Sequence, residues 1–358
     1  MNARRDLPLL ALFVFVCLSA ALAGHPTPAA AQPLPPPVAW PFTAGWLPRV
    51  NINAAGSYFS LIDSTAQRLY VAEFGGPLRV YDTTTGNLTL TLPLVVRSLA
   101  LAPDGTLYAT TLPETPPVGG RLHIFEPDAW PAARVLPYPC TPTPYTCTVS
   151  ELQEGPDGRL YVADPEGQFV HIFDGQTAQL LHTLDIGFGP LNYLELALHD
   201  TTLYVGATQP NGGVPFVAVY DVAELVPTQL DTFAHATWGL HVSPDGRYLY
   251  SSQPEESVQY RTAPLTYVRT LDGRLQDVLP DGAVLATRQY GVRGFEAVAY
   301  DPETGEARRG LRHTNVSPRP VAQALADGGL ALLHSDHVVL YIPSDYAAAL
   351  PLVPVIRD

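Results

Sequence analysis

The chain contains no lysine; all twenty of its basic residues are arginine. That absence excludes a phosphate-loop lysine, a Schiff-base lysine and a lysine general base together. Cysteine is nearly as scarce, at three residues. Gly-x-Ser-x-Gly, the phosphate-loop glycine pattern and a haem-attachment cysteine pair are all missing, so no cofactor is expected. Positive charge is short as well. Against 34 acidic residues the formal net charge is −14, which disfavours nucleic acid and anionic membrane surfaces as partners, because neither phosphate repulsion would be offset. Beyond the first residues no segment has the 3.6-residue periodicity of a helix longer than two turns.

What is present begins with Arg4 and Arg5, an apolar run from Leu7 to Leu22, and the small-residue pattern Ala21-Leu22-Ala23. This predicts a secretory signal peptide over 1–31, cleaved after Ala23 or after Ala31, and too short and early to be a membrane span of the mature chain. The residues after the arginine pair depart from a twin-arginine signal, which leaves the export route open, and Cys17 has no lipobox around it. Loss of 1–31 removes two arginines and one aspartate and moves the charge to about −15. An exported protein meets an oxidising compartment, so Cys140 and Cys147, enclosing a Pro-rich loop, are expected to form a local disulfide. Closing so short a ring restrains the unfolded chain by about 2–3 kcal/mol.

Residues 32–48 form a Pro-rich leader of low burial potential. After it one unit recurs: an apolar segment, an Asp-Gly turn, a short β-branched or aromatic segment, and two further alternating segments. The turn and following strand read Ala102-Pro103-Asp104-Gly105-Thr106-Leu107-Tyr108, Gly155-Pro156-Asp157-Gly158-Arg159-Leu160-Tyr161 and Ser243-Pro244-Asp245-Gly246-Arg247-Tyr248-Leu249-Tyr250. Weaker copies lie at 198–204, 279–285 and 325–331, with a longer turn from Asp63 to Tyr70. The seven anchor residues, Tyr70, Tyr108, Tyr161, Tyr204, Tyr250, Leu285 and Ala331, are 35 to 53 apart, which suits a four-stranded propeller blade. The expected fold is all-β, a monomeric seven-bladed β-propeller of four-stranded antiparallel blades over 49–350, with a tail at 351–358. The last repeat lacks a fourth strand after Tyr341-Ile342, and the segment Ala39 to Val50 is expected to supply it, leaving no long open edge.

Leu69-Tyr70-Val71-Ala72, Leu160-Tyr161-Val162-Ala163-Asp164 and Leu203-Tyr204-Val205-Gly206, with their preceding turns, resemble the YVTN and NHL-type propeller repeats. The resemblance covers roughly 50–345 and implies architecture, since such repeats serve both binding scaffolds and enzymes.

In such a ring the first residues of each first strand and the last of each second strand share one face, the channel mouth, where ligands bind. Counting seven residues back from each turn aspartate gives Gly56, Arg97, Ser150, Tyr193, Trp238 and Arg274, with Arg319 eight back in the seventh repeat. Counting three on from each anchor gives Glu73, Thr111, Asp164, Ala207, Gln253, Arg288 and His334. Arg97, Arg274, Arg319 and Arg288 are candidate bidentate donors to an anion, with Tyr193 and Trp238 as stacking walls. The competing reading pairs each arginine with an acid such as Glu73, Asp164, Glu195 or Asp277 as a strut between blades.

The expected function is a non-catalytic extracellular or periplasmic scaffold binding a protein, glycan or small anionic ligand. The alternative is a metal-dependent lactonase, because Glu154-Gly155-Pro156 before Leu160 to Asp164 resembles the segment that carries a metal-binding glutamate in gluconolactonase-type propellers. Only Glu154 carries over; Trp238-Gly239 and Ser251-Ser252-Gln253 replace two further ligands, and that family has six blades. His334, Asp336 and His337 are the densest potential metal cluster, set on a strand-turn-strand where the two histidines are expected to diverge. His235 and His241 flank Trp238, and His123 and His171 share one blade position, which argues for structure.

Overall fold

Asp-Gly turns set the architecture. In the computed structural model Gly105 and Gly158 take positive φ of 89° and 76°, as do Gly246, Gly282 and Gly328 in the corresponding turns, and a residue with a Cβ would be strained there. Each glycine amide donates to the carbonyl three residues back, at 2.8–3.0 Å. The preceding aspartate accepts from the amide two residues on, for example Thr106 to Asp104 at 2.8 Å and Ala283 to Asp281 at 3.1 Å. A type I turn closed by a left-handed residue joins antiparallel strands with the right twist. In the fourth repeat Asp200 supplies that residue, with φ 48°.

The structure describes residues 44–345 except 53–56, 64–65, 74–75, 103, 112–119, 138–150, 165–167, 188–192, 209–214, 236, 254, 291–293, 315–320, 326 and 335–336. The disulfide candidates Cys140 and Cys147, the signal segment, Arg319 and Asp336 lie outside the described residues.

Strands follow the repeats. Blade 1 is β2 (Ser57–Asp63), β3 (Arg68–Glu73), β4 (Leu78–Asp82) and β5 (Leu88–Leu92), and blade 2 is β6 (Val96–Leu101), β7 (Leu107–Thr111), β8 (Arg121–Phe125) and β9 (Arg134–Pro137). Blade 3 comprises β10 (Glu151–Glu154), β11 (Arg159–Asp164), β12 (Phe169–Asp174) and β13 (Leu180–Asp185), and blade 4 β14 (Tyr193–His199), β15 (Thr202–Thr208), β16 (Phe216–Asp221) and β17 (Thr228–Ala234). Blade 5 is β18 (Leu240–Val242), β19 (Tyr248–Ser252), β20 (Glu256–Thr262) and β21 (Leu265–Asp272); blade 6 is β22 (Arg274–Val278), β23 (Val284–Tyr290), β24 (Gly294–Tyr300) and β25 (Ala307–Thr314). Blade 7 takes β26 (Val321–Ala324), β27 (Leu330–Leu333) and β28 (Val338–Asp345) from the end of the domain and β1 (Ala44–Ile52) from its start. The chain is a seven-bladed β-propeller with antiparallel pairing inside every blade.

β1 runs antiparallel to β28 from Ala44 opposite Asp345 to Ile52 opposite Val338. The strand thus ends two residues past Val50, and the expected start at Ala39 lies outside the described residues. A single parallel bridge, Ala44 to Arg309, ties β1 to the outer strand of blade 6.

Alternation along each strand sends apolar side chains to both blade faces, where they meet the neighbouring blade. The anchors Tyr70, Tyr108, Tyr161, Tyr204 and Tyr250 are all buried, as are Leu285 and Ala331. Blade 7 packs on blade 1 through Ala331, Leu333, Leu340 and Val338 against Ile62, Leu69 and Val71, which closes the ring. A second turn recurs between third and fourth strands, at Asp82-Thr83-Thr84-Thr85-Gly86, Asp174-Gly175-Gln176-Thr177-Ala178 and Asp301-Pro302-Glu303-Thr304-Gly305. In each, the fourth residue's amide donates to the aspartate side chain at 2.6–2.8 Å. Among the described residues no helix is long and apolar enough to cross a membrane.

Candidate functional site

The first strands of the blades, β2, β6, β10, β14, β18, β22 and β26, neighbour one another in ring order. Each has an edge not covered by its own sheet, and on β14 and β26 side chains from the preceding blade cap it. Glu151 Oε2 accepts the Leu196 amide at 2.5 Å, Gln276 Oε1 accepts that of Ala322 at 3.1 Å, and Asp277 Oδ2 accepts that of Ala324 at 2.9 Å. Between blades 5 and 6 the approach is from side chain to side chain, His241 Nδ1 lying 4.0 Å from Asp277 Oδ1. Buried backbone groups rarely go unpaired, so these contacts stitch the channel wall.

Two carboxyls meet in that wall. Glu151 and Glu195 stand at equivalent positions of β10 and β14, opposite Ala163 and Gly206 respectively. Burial, and then Glu195, push the Glu151 carboxyl well above the usual carboxylate range, because two neighbouring carboxylates resist sharing full charge. A raised carboxyl holds its proton in the folded chain when the unfolded chain has released it, so stability falls as pH rises from the ordinary value toward the raised one. Replacing Glu195 with Gln should therefore raise the unfolding midpoint more at pH 8 than at pH 4, as measured by thermal unfolding at the two pH values.

At the mouth end, Arg97 occupies the bulge of β6 between Val96 and Ser98, and Arg274 opens β22 opposite Thr287. Both side chains are half-buried. Each has a buried Nε with no hydrogen-bond partner, and among the described residues neither guanidinium makes an ion pair. Trp238 precedes β18 at the same end and is 46% exposed, while its amide is held by the Ser252 carbonyl at 2.8 Å. Tyr193 opens β14 and Glu73 closes β3, which places both backbones at this end.

The remaining candidates are engaged by neighbouring side chains or lie away from the mouth. Arg288 is a strut after all: its Nε lies 2.7 Å from Glu296 Oε2 and its Nη1 2.5 Å from Asp272 Oδ2. Arg312 grips the other oxygen of Glu296, which is 2% exposed. Asp164 and His334 are buried rather than open to the channel. Asp164 Oδ2 lies 3.7 Å from His171 Nε2 on the adjacent strand of its own blade. Glu154 closes β10 opposite Leu160, at the turn end and away from the mouth. Burial and Asp104 raise its carboxyl. His235 accepts or shares a proton with the Tyr260 hydroxyl at 3.0 Å. His123 and His171, at equivalent positions, each meet a threonine hydroxyl at 3.1 Å.

An open groove of about 500 Å³ lies at the mouth end of blade 5, lined by Gln253, Glu255, Glu256, Thr270, Leu271 and Asp272. Its acidic lining repels anions, so the mouth arginines and not this groove form the candidate site. Among the described residues no three His, Cys, Asp or Glu side chains are grouped to hold a metal ion. No protein-family model matches the chain, and no curated protein matches it.

Proposed function

We propose that this protein is an exported, non-catalytic binding scaffold of the YVTN/NHL type, and that its channel mouth takes up a carboxylate-bearing small molecule or acidic glycan. The observation that carries the reading is the pair Arg97 and Arg274, half-buried guanidinium groups that among the described residues have no acid partner, in a chain of net charge −14. A buried donor left unsatisfied costs about 1–3 kcal/mol. A carboxylate presents two acceptors that match the guanidinium fork, and such charge-assisted bonds are about twice as strong as neutral ones. Trp238 supplies an exposed aromatic face on the same rim, suited to the apolar face of a sugar or organic acid. The Leu-Tyr-Val-Ala repeats support the family reading, and Arg4-Arg5 with the apolar run to Leu22 supports export. Glu154, at the opposite end of its blade, offers no support for a lactonase at this mouth.

Thermal unfolding of residues 32–358 tests the reading with a panel of citrate, glucuronate, succinate and oligogalacturonate beside neutral sugars. A ligand at a hundredfold its Kd stabilises by about 2.7 kcal/mol, on the order of 5 °C for a domain of this size. The expected result is a rise with at least one acid and none with neutral sugars, abolished in the Arg97→Ala/Arg274→Ala variant. An equal rise in that variant contradicts the reading.

A further inference from the structure

Blades 6 and 7 meet at the mouth end across a cluster of three histidines. His313 lies near the end of β25, His334 follows β27, and His337 precedes β28, with the His334 amide bound to the His337 carbonyl at 2.8 Å. The rings of His334 and His337 stack in parallel, with centroids 4.2 Å apart and planes 7° apart. His313 is stacked on Phe295 at 5.2 Å and 14°, and its centroid is 6.3 Å from that of His334. Its Nε2 meets the Tyr341 hydroxyl at 2.8 Å. From the geometry we infer that His313, packed against Phe295 and the His334–His337 stack, is an acid-sensitive latch on the seam between blades 6 and 7, closed when its ring is neutral and loosened when it is protonated.

Among the described residues, the groups that face His313 are aromatic and imidazole rings. Phe295 comes from β24, His334 and His337 from the turn of blade 7, and Tyr341 from β28; Asp336, in that turn, lies outside the described residues. Glu296 and Arg312 adjoin Phe295 and His313 in sequence, but strand alternation turns them to the other face of blade 6, where they bind each other and Arg288. Burial and the neighbouring His337 lower His313 to about 4. The unfolded ring takes its proton near pH 6.5. Stability from this site is thus complete above that value and is lost as pH falls toward 4.

A neutral His313 ring stacks on Phe295, whereas its imidazolium would carry a charge in a half-buried place walled by aromatic rings that solvate it poorly. A metal centre is the poorer use of the same rings. Imidazole lone pairs lie in the ring plane, and the parallel planes of His334 and His337 do not converge on one ion. The seam matters because it also holds Trp46 of β1, the strand that completes the ring.

Hydrogen exchange of the full chain, corrected for intrinsic rates, tests the latch. Between pH 7.5 and 4.8, protection should fall by an order of magnitude or more at 307–314 and 330–345 and stay level at 193–221. His313→Phe should keep the stack on Phe295 but cannot be protonated, so its seam should hold most of its protection at pH 4.8. Unchanged protection in the wild type overturns the latch, as does equal acid loss in a folded His313→Phe. If that variant fails to fold, imidazole NMR titration of the wild type decides. A His313 midpoint well below 6 supports the latch, and one at or above 6.5 overturns it. A rise in seam protection with zinc or nickel at pH 7.5 would instead make the cluster a metal site.

Discussion

Replacing Glu296 with Ala should destabilise the propeller by about 3–5 kcal/mol, because removing one member of a buried ion-pair network strands the others. Glu296 is buried, its two oxygens are taken separately by Arg288 and Arg312, and the three residues are direct cross-strand neighbours on β23, β24 and β25. The truncation removes the buried carboxylate shared by the two guanidinium groups and leaves Arg288, among the described residues, with Asp272, 67% exposed, as its acid partner. Glu296→Gln keeps the shape and should cost less. Urea unfolding of the three proteins measures the order directly. Replacing all three members with apolar residues of similar volume should be far milder than the single truncation, since the network's own desolvation would vanish with it.

Trp46→Ala should cost a similar amount, about 3–5 kcal/mol, as expected for a large aromatic removed from a packed core. Trp46 is 1% exposed and packs with Leu279, Phe295 and Tyr341. Its indole N–H donates to the Gly328 carbonyl at 3.2 Å, so the turn of blade 7 loses a partner as well. The effect should reach beyond one strand, because β1 is the outer strand of the last blade. Tyr267→Ala, on the exposed outer part of blade 5 at 62% accessibility, should change stability by no more than about 0.5 kcal/mol. Equal effects of the two substitutions in denaturant unfolding would contradict closure of the ring through β1.

The blades were legible because their signals are local. A Pro-Asp-Gly turn fixes a hairpin within a few residues, and the buried tyrosine that follows marks the second strand. The closing strand was legible by subtraction, from a last repeat that ran out of partners after Ile342. The second turn, Asp-x-x-Thr followed by Gly or Ala, was equally present at 82–86, 174–178 and 301–305, and its period could have located the outer strands. What stayed hidden depends on pairs far apart in sequence. Nothing near Glu151 announces Glu195, and nothing near Glu296 announces that two cross-strand arginines will claim both its oxygens. Counting from turns located Arg97, Arg274 and Trp238 at the mouth, but it treated every strand end as open. His334 and Arg288 instead meet side chains of the neighbouring blade, and Asp164 meets His171 within its own.

Isothermal titration of citrate and oligogalacturonate into residues 32–358 tests the proposed anion-binding mouth most directly. Saturable one-to-one binding is predicted for at least one of them. It should weaken with added salt, as a charge-assisted contact does, and disappear in the Arg97→Ala/Arg274→Ala protein while the unfolding midpoint stays near that of the wild type. Binding that survives in the folded double variant would contradict a ligand site built on these two arginines.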